Sequence, residues 1–112
     1  LSNEKLLVLE PFILTMSPLN NSRYLSNRIV VSPMCQYSSR NGLPSEWHYK
    51  HLSNLITSGA SMLILESTAV SKMGRITYND LGLYNNSQEK KLKHLIYIML
   101  RLFLMKISRN KY

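Results

Sequence analysis

A thiol and a phenol lie two residues apart at Cys35 and Tyr37, directly after a β-branched run closed by a proline. A phenol on such a loop can donate a hydrogen bond to an oxyanion as one forms. A free cysteine is most often a small buried hydrophobe, and Tyr37 is one of seven tyrosines, so neither residue alone assigns a chemistry. His48 and His51, three apart, have the spacing of a metal pair. No third ligand stands nearby, and structural roles suit them better. Cys35 is the only cysteine, which excludes an internal disulfide framework and a cysteine-coordinated zinc site. A lone thiol fits a reducing, cytoplasmic setting.

These side chains need elements to hold them. Arg28-Ile29-Val30-Val31-Ser32-Pro33-Met34 reads as a buried strand and its exit loop. Pro33 cannot donate to a ladder and marks the strand's end. Residues 35–42 are polar and turn-rich and predict a loop. Pro44-Ser45-Glu46 resembles a helix start, with an early acid favoured by the helix dipole. Trp47, His51 or Leu52, Leu55 and Ile56 then recur at helical spacing, and Gly59 supplies a stop. Met62-Leu63-Ile64-Leu65-Glu66 is a continuous apolar run closed by an acid; its lack of alternation predicts burial on both faces. The expected unit is βαβ, with strands near 28–33 and 62–66 in parallel and a right-handed crossover helix near 45–58. An irregular stretch over residues 67–88 and a helical pattern from Glu89 complete an α/β alternation. In barrels of this class the functional residues sit at the carboxyl ends of strands. Here those loops hold residues 32–37 and 66–83.

The 112 residues suffice for one small domain or part of one, with no repeat or low-complexity tract. The net charge of +8 raises nucleic acid as a partner, but its distribution argues against that. Residues 1–89 hold seven Lys/Arg and all six Asp/Glu, while residues 90–112 hold the other seven Lys/Arg and no acid. The basicity belongs to the tail, so no nucleic acid is expected as a partner. The apolar run 95–105 is broken by Arg101 and is shorter than the roughly 20 residues of a membrane span, so no membrane partner is expected. Residues 6–14 lack the pattern of a signal peptide.

The string Asn27-Arg28-Ile29-Val30-Val31-Ser32-Pro33-Met34-Cys35-Gln36-Tyr37-Ser38 resembles the first-strand signature of the old yellow enzyme family, and within it the bacterial ene-reductase subgroup. The resemblance continues through Gly42-Leu43-Pro44, Trp47-His48-Tyr49-Lys50-His51-Leu52, Glu66-Ser67-Thr68-Ala69-Val70, Gly74-Arg75-Ile76 and Asp80-Leu81-Gly82-Leu83, and Leu9-Glu10-Pro11-Phe12 is similar to the family's opening. Any one motif is weak; their order is specific. The resemblance implies an α/β fold, the N-terminal part of a (β/α)8 TIM barrel, with FMN bound non-covalently at its carboxyl face. It implies an oxidoreductase that uses NAD(P)H to reduce activated C=C bonds of small enone-type carbonyl substrates, in a family where homo-oligomers occur, though no such oligomer is expected of this fragment. By the same resemblance Ser32, Pro33, Met34 and Cys35 lie along the isoalloxazine. The Cys35 sulfur tunes the flavin, and Tyr37 bonds the substrate's carbonyl oxygen. Ser67 takes a place where the family usually has an alanine whose backbone touches the flavin. Arg75 is expected to pair with an acid or close the site, and with Asp80 to organise the second loop.

After Lys93 the resemblance stops, and residues 17–25 also fit it poorly. The expected division is 1–93 as the βαβα portion of the barrel and 94–112 as a divergent basic tail arising from truncation or frameshift. A complete barrel takes about 250 residues, so a chain of 112 is expected to be inactive alone. The alternative is a small basic interaction module that binds polyanions through its tail.

Overall fold

The computed structural model describes residues 6–16 and 21–109. A 3-10 turn at Leu7–Leu9 leads into an antiparallel hairpin of β1 (Phe12–Met16) and β2 (Asn21–Leu25), with Phe12 opposite Leu25 and Leu14 opposite Arg23. Arg28 ties the hairpin's base to the chain that follows. Its backbone N–H donates to the Val8 carbonyl at 2.8 Å and its guanidinium lies 5.2 Å over the Phe12 ring.

Strand β3 (Val30–Val31), helix α1 (Glu46–Ile56) and strand β4 (Met62–Leu63) form the expected βαβ unit. Val30 pairs with Met62 and Val31 with Leu63 in parallel register. The Ser61 N–H donates to Ile29 and the Ile64 N–H to Val31, extending the ladder by a step at each end. Asn27 fixes the register from outside: its side-chain amide donates to the Gly59 carbonyl at 2.8 Å, and its carbonyl accepts the Ser61 hydroxyl.

Helix α1 starts where the sequence places it but stops before Gly59. The Thr57 and Ser58 hydroxyls donate to the Ser53 and Leu55 carbonyls at 2.8 and 2.6 Å. They satisfy the last helical acceptors, leaving Gly59 (φ +104) to turn the chain towards β4.

Within the loop after β4, read as irregular from sequence, lies a second parallel pair. It joins β5 (Thr68–Ala69) to β6 (Leu81–Gly82). Helix α2 (Asn86–Arg109) follows and runs through residue 93 without a break. The Asn85 side chain accepts the Gln88 N–H at 2.9 Å, an N-cap bond that the residue types at this position favour.

The core lies between the helices and the β4 segment. Leu52 of α1 meets Leu92, Leu95 and Met99 of α2, with Tyr49, Leu55, Ile56, Leu63 and Leu65 packed around them. The β4 run is therefore covered on one side only. Leu63 and Leu65 face the helices, whereas Ile64 is 41% exposed, which corrects the expectation of burial on both faces. One helix layer on a two-strand ladder cannot cover two faces. The radius of gyration, 16.6 Å, exceeds the roughly 13 Å of a compact domain of this length, as an unclosed architecture requires.

Candidate functional site

The parallel pair β3–β4 sends two loops out from the same carboxyl edge. The first carries Ser32, Pro33, Met34, Cys35 and Tyr37, and the second begins with Glu66 and Ser67. Ser32, Pro33, Met34, Tyr37 and Ser67 are exposed, and Cys35 is half-buried. Residues 32–35 continue beyond the ladder without regular secondary structure. The backbone N–H groups of Ser32, Met34 and Cys35 form no hydrogen bond among the described residues. The strand end is thus an open shelf with spare donors.

Tyr37 has φ +50, the left-handed region in which a side chain is strained by about 1–2 kcal/mol. Such a conformation persists only where the surroundings over-determine it. On its N-terminal side Gln36 is held at three points. Its backbone N–H donates to Glu66 Oε2 at 3.2 Å, its Nε2 donates to the Met34 carbonyl at 2.9 Å, and its Oε1 accepts the Trp47 indole N–H at 2.9 Å. On the other side the Ser38 hydroxyl donates to the Gln36 carbonyl, and the Ser39 N–H donates to the Asn79 carbonyl at 3.0 Å.

The second loop is clasped to the first. The buried Ser39 hydroxyl donates to the Asp80 carbonyl, the Tyr78 hydroxyl donates to Asn41 Oδ1 at 2.8 Å, and the Gly82 N–H donates to the Gly42 carbonyl at 2.9 Å. Asp80 is buried and organises its own turn by accepting the Ile76 N–H and the Thr77 hydroxyl at 2.7 and 3.0 Å. Arg75 does not take this acid. Its guanidinium donates to the Lys72 and Tyr78 carbonyls and lies 5.0 Å over the Tyr78 ring. Both oxygens of the buried Asp80 already accept from its own turn.

The two histidines of α1 part company. His51 stacks on Trp47, with ring centroids 5.8 Å apart. His48 is wholly buried: its Nδ1 accepts the Ser45 N–H at 3.0 Å, and its Nε2 lies 3.2 Å from Glu66 Oε1. Among the described residues no group of three His, Cys, Asp or Glu side chains could hold a metal ion. The sequence reading missed Glu66 as a partner of His48. Two signals were present: a histidine at the third helical position after a serine cap, where Glu or Gln usually sits, and an acid closing an apolar run.

Among the described residues no helix is long and apolar enough to cross a membrane. The bases of α2 are partly engaged: Lys93 pairs with Glu89 at 3.6 Å, Lys106 donates to the Thr57 carbonyl, and Arg101 lies 5.9 Å over Tyr97.

Against known proteins, the chain is 47% identical over 74 residues to an NADPH dehydrogenase of Listeria welshimeri, covering 64% of this chain and 22% of that protein. It is 41% identical over 69 residues to an NADH:flavin oxidoreductase of Gibberella zeae, covering 62% and 17%. The chain therefore spans about a fifth of the length of these relatives. Morphinone reductase matches its fold with a TM-score of 0.68 at 18% identity, over 85% of this chain and 23% of that one. The old yellow enzyme of Trypanosoma cruzi matches with a TM-score of 0.66 at 18% identity, over 85% and 24%. The architecture is the N-terminal part of a TIM barrel, present as an α/β piece with no closed barrel among the described residues. The profile of the NADH:flavin oxidoreductase / NADH oxidase family matches residues 17–98, and the chain belongs to that family.

Proposed function

We propose that this chain carries flavin-facing strand ends of an FMN-dependent oxidoreductase that uses NAD(P)H to reduce activated C=C bonds of unsaturated carbonyl compounds. The observation that carries this reading is the shelf at the carboxyl end of β3, where the backbone N–H groups of Ser32, Met34 and Cys35 have no partner among the described residues. Spare donors at a strand end suit the polar edge of a planar heteroaromatic ring, so the residues present fit the cofactor. FMN, when bound, supplies reversible hydride transfer.

This chain's residues then have separate tasks. Ser32, Pro33 and Met34 bind the ring edge, with Pro33 setting the loop's direction. Cys35 places a weak S–H donor beside the ring, favouring its electron-rich reduced form. Ser67 is small enough for its backbone to approach. Tyr37 donates its phenol to the substrate's carbonyl oxygen and stabilises the charge that gathers there. The substrate is a small enone-type molecule and the setting cytoplasmic, where the Cys35 thiol stays reduced.

A chimera tests the proposal: residues 27–93 of this chain replace the matching segment of the Listeria welshimeri NADPH dehydrogenase. The expected product is yellow after desalting and oxidises NADPH in the presence of a cyclic enone. A folded chimera that holds no FMN overturns the reading.

A further inference from the structure

We infer that His48 and Glu66 form a buried clamp that fixes Gln36, and through it positions Cys35 and Tyr37 on either side. The importance of those two residues rests on the function proposed above; the clamp itself does not involve FMN. Both side chains are withdrawn from solvent, at 0% and 4% exposure. A backbone N–H can only donate, so the bond from Ser45 N–H to His48 Nδ1 requires that nitrogen to be unprotonated. The imidazole is then the neutral Nε2–H tautomer, and its one proton points into the interior. There Glu66 Oε1 lies 3.2 Å away, off the axis of a full hydrogen bond, and no other acceptor reaches the buried Nε2 among the described residues. The carboxylate is therefore its partner. The other oxygen of Glu66 accepts the Gln36 N–H at 3.2 Å.

The arrangement links the N-terminus of α1, the end of β4 and the loop after β3 through one carboxylate. Gln36 stands between Cys35 and the left-handed Tyr37, and its side chain is pinned by the adjacent Trp47. Helix α1 thus holds residue 36 twice, through Trp47 and through His48 with Glu66. Both donors facing Glu66 are committed: the Gln36 amide is fixed, and the histidine cannot move its proton to Nδ1 without losing Ser45. A neutral amide in place of Glu66 can accept from one of them and must present N–H to the other.

Hydrogen exchange on the full 112-residue chain, resolved to single amides by NMR, tests this. Glu66→Gln is expected to raise exchange of the Gln36 amide about tenfold while residues 92–102 keep their protection. His48→Gln supplies the usual residue of a capping box. It is expected to keep residues 46–56 protected while the Gln36 amide opens, which separates clamping from helix capping. The nitrogen NMR spectrum of labelled His48 is expected to show the Nε2–H tautomer, and Glu66→Gln to shift its Nε2–H resonance, a coupling that helix capping alone would not produce. The inference is overturned if the Gln36 amide exchanges at the unprotected rate in the unmutated chain, if Glu66→Gln leaves it unchanged, or if it opens every segment equally. An averaged or Nδ1–H histidine signal overturns it as well. Loss of FMN from the chimera with an intact clamp would instead count against the proposed function alone.

Discussion

The amide of Gln88 occupies the space that a side chain at Gly42 would need. A Cβ on Gly42 would lie 2.4 Å from Gln88 Nε2 and 3.2 Å from the Gly82 Cα. Gln88 cannot swing aside freely, because it is 1% exposed, accepts the Tyr84 N–H at 2.8 Å and donates to the Asn41 carbonyl at 3.0 Å. Gly42 also has φ +73, where a Cβ is strained even in open space. Gly42→Ala is expected to destabilise the chain by about 2–4 kcal/mol, the sum of the backbone and overpacking costs. Urea denaturation read by circular dichroism checks it. A loss below about 0.5 kcal/mol, the scale of an ordinary surface change, would mean that the two loops are not locked at this point.

The second expectation concerns the outer side of α2. Leu95 is fully buried, and Leu95→Ala is expected to cost about 2–5 kcal/mol. Ile96 and Leu100, 47% and 54% exposed, instead belong to an apolar strip that with Phe103 borders a groove along Ile56 and Leu63. Exposed apolar surface of this kind, beside a two-strand ladder with free edges, drives association. The isolated chain is expected to be marginally stable and to self-associate at micromolar concentration, and the pair Ile96→Lys with Leu100→Lys to reduce that association. Sedimentation velocity decides: a monomeric species with a cooperative thermal transition would contradict the expectation.

What could be read from sequence followed the range of the interactions. The β3–α1–β4 unit was legible because its signals are local: Pro33 ends a strand, Ser45 caps a helix, and the run at residues 62–65 is apolar throughout. Ser32, Pro33, Met34, Cys35, Tyr37 and Ser67 were placed at the carboxyl edge by the same logic. The β5–β6 pair was not legible, since two-residue strands formed by Thr68, Ala69, Leu81 and Gly82 carry no periodicity. Nor were the clasp of Ser39 on Asp80 or the pairing of His48 with Glu66. Each joins residues far apart in the chain, and a buried polar group shows its partner only once the fold brings the two together. Of the two roles expected of Arg75, the pairing with an acid fails at Asp80, whose oxygens already accept from its own turn.

Third, Cys35 and Tyr37 should be separable in the flavin-loaded chimera. Tyr37 is 49% exposed. Tyr37→Phe is therefore expected to leave stability and FMN content unchanged, while KM for an enone rises about tenfold, the worth of one hydrogen bond to a charged oxygen. Cys35→Ala is expected to keep FMN but lower its reduction potential by about 20–60 mV, since a donor to the reduced ring is lost. Spectroelectrochemistry and steady-state kinetics check both. An unchanged potential in Cys35→Ala removes the role assigned to the thiol.

The last expectation is that the 112-residue chain neither co-purifies with yellow flavin nor reduces an enone with NADPH. FMN is held in large part by its phosphate dianion, which needs several converging N–H donors and a basic side chain. In barrels of this class that site is built by the loops after the last two strands and a short helix N-terminus. The described residues contribute one parallel pair from the barrel wall, β3 with β4, and the small β5–β6 pair within a loop. The shelf at residues 32–35 adds edge hydrogen bonds to an open surface, where water competes for the same donors and each bond is worth only about 1 kcal/mol net. A few such bonds fall short of the roughly 8 kcal/mol of micromolar affinity before the cost of immobilising the ligand is counted. Absorbance of the purified chain after incubation with FMN and desalting is the direct measurement. Stoichiometric flavin retained by the 112 residues would show that the strand ends alone suffice to bind the ring.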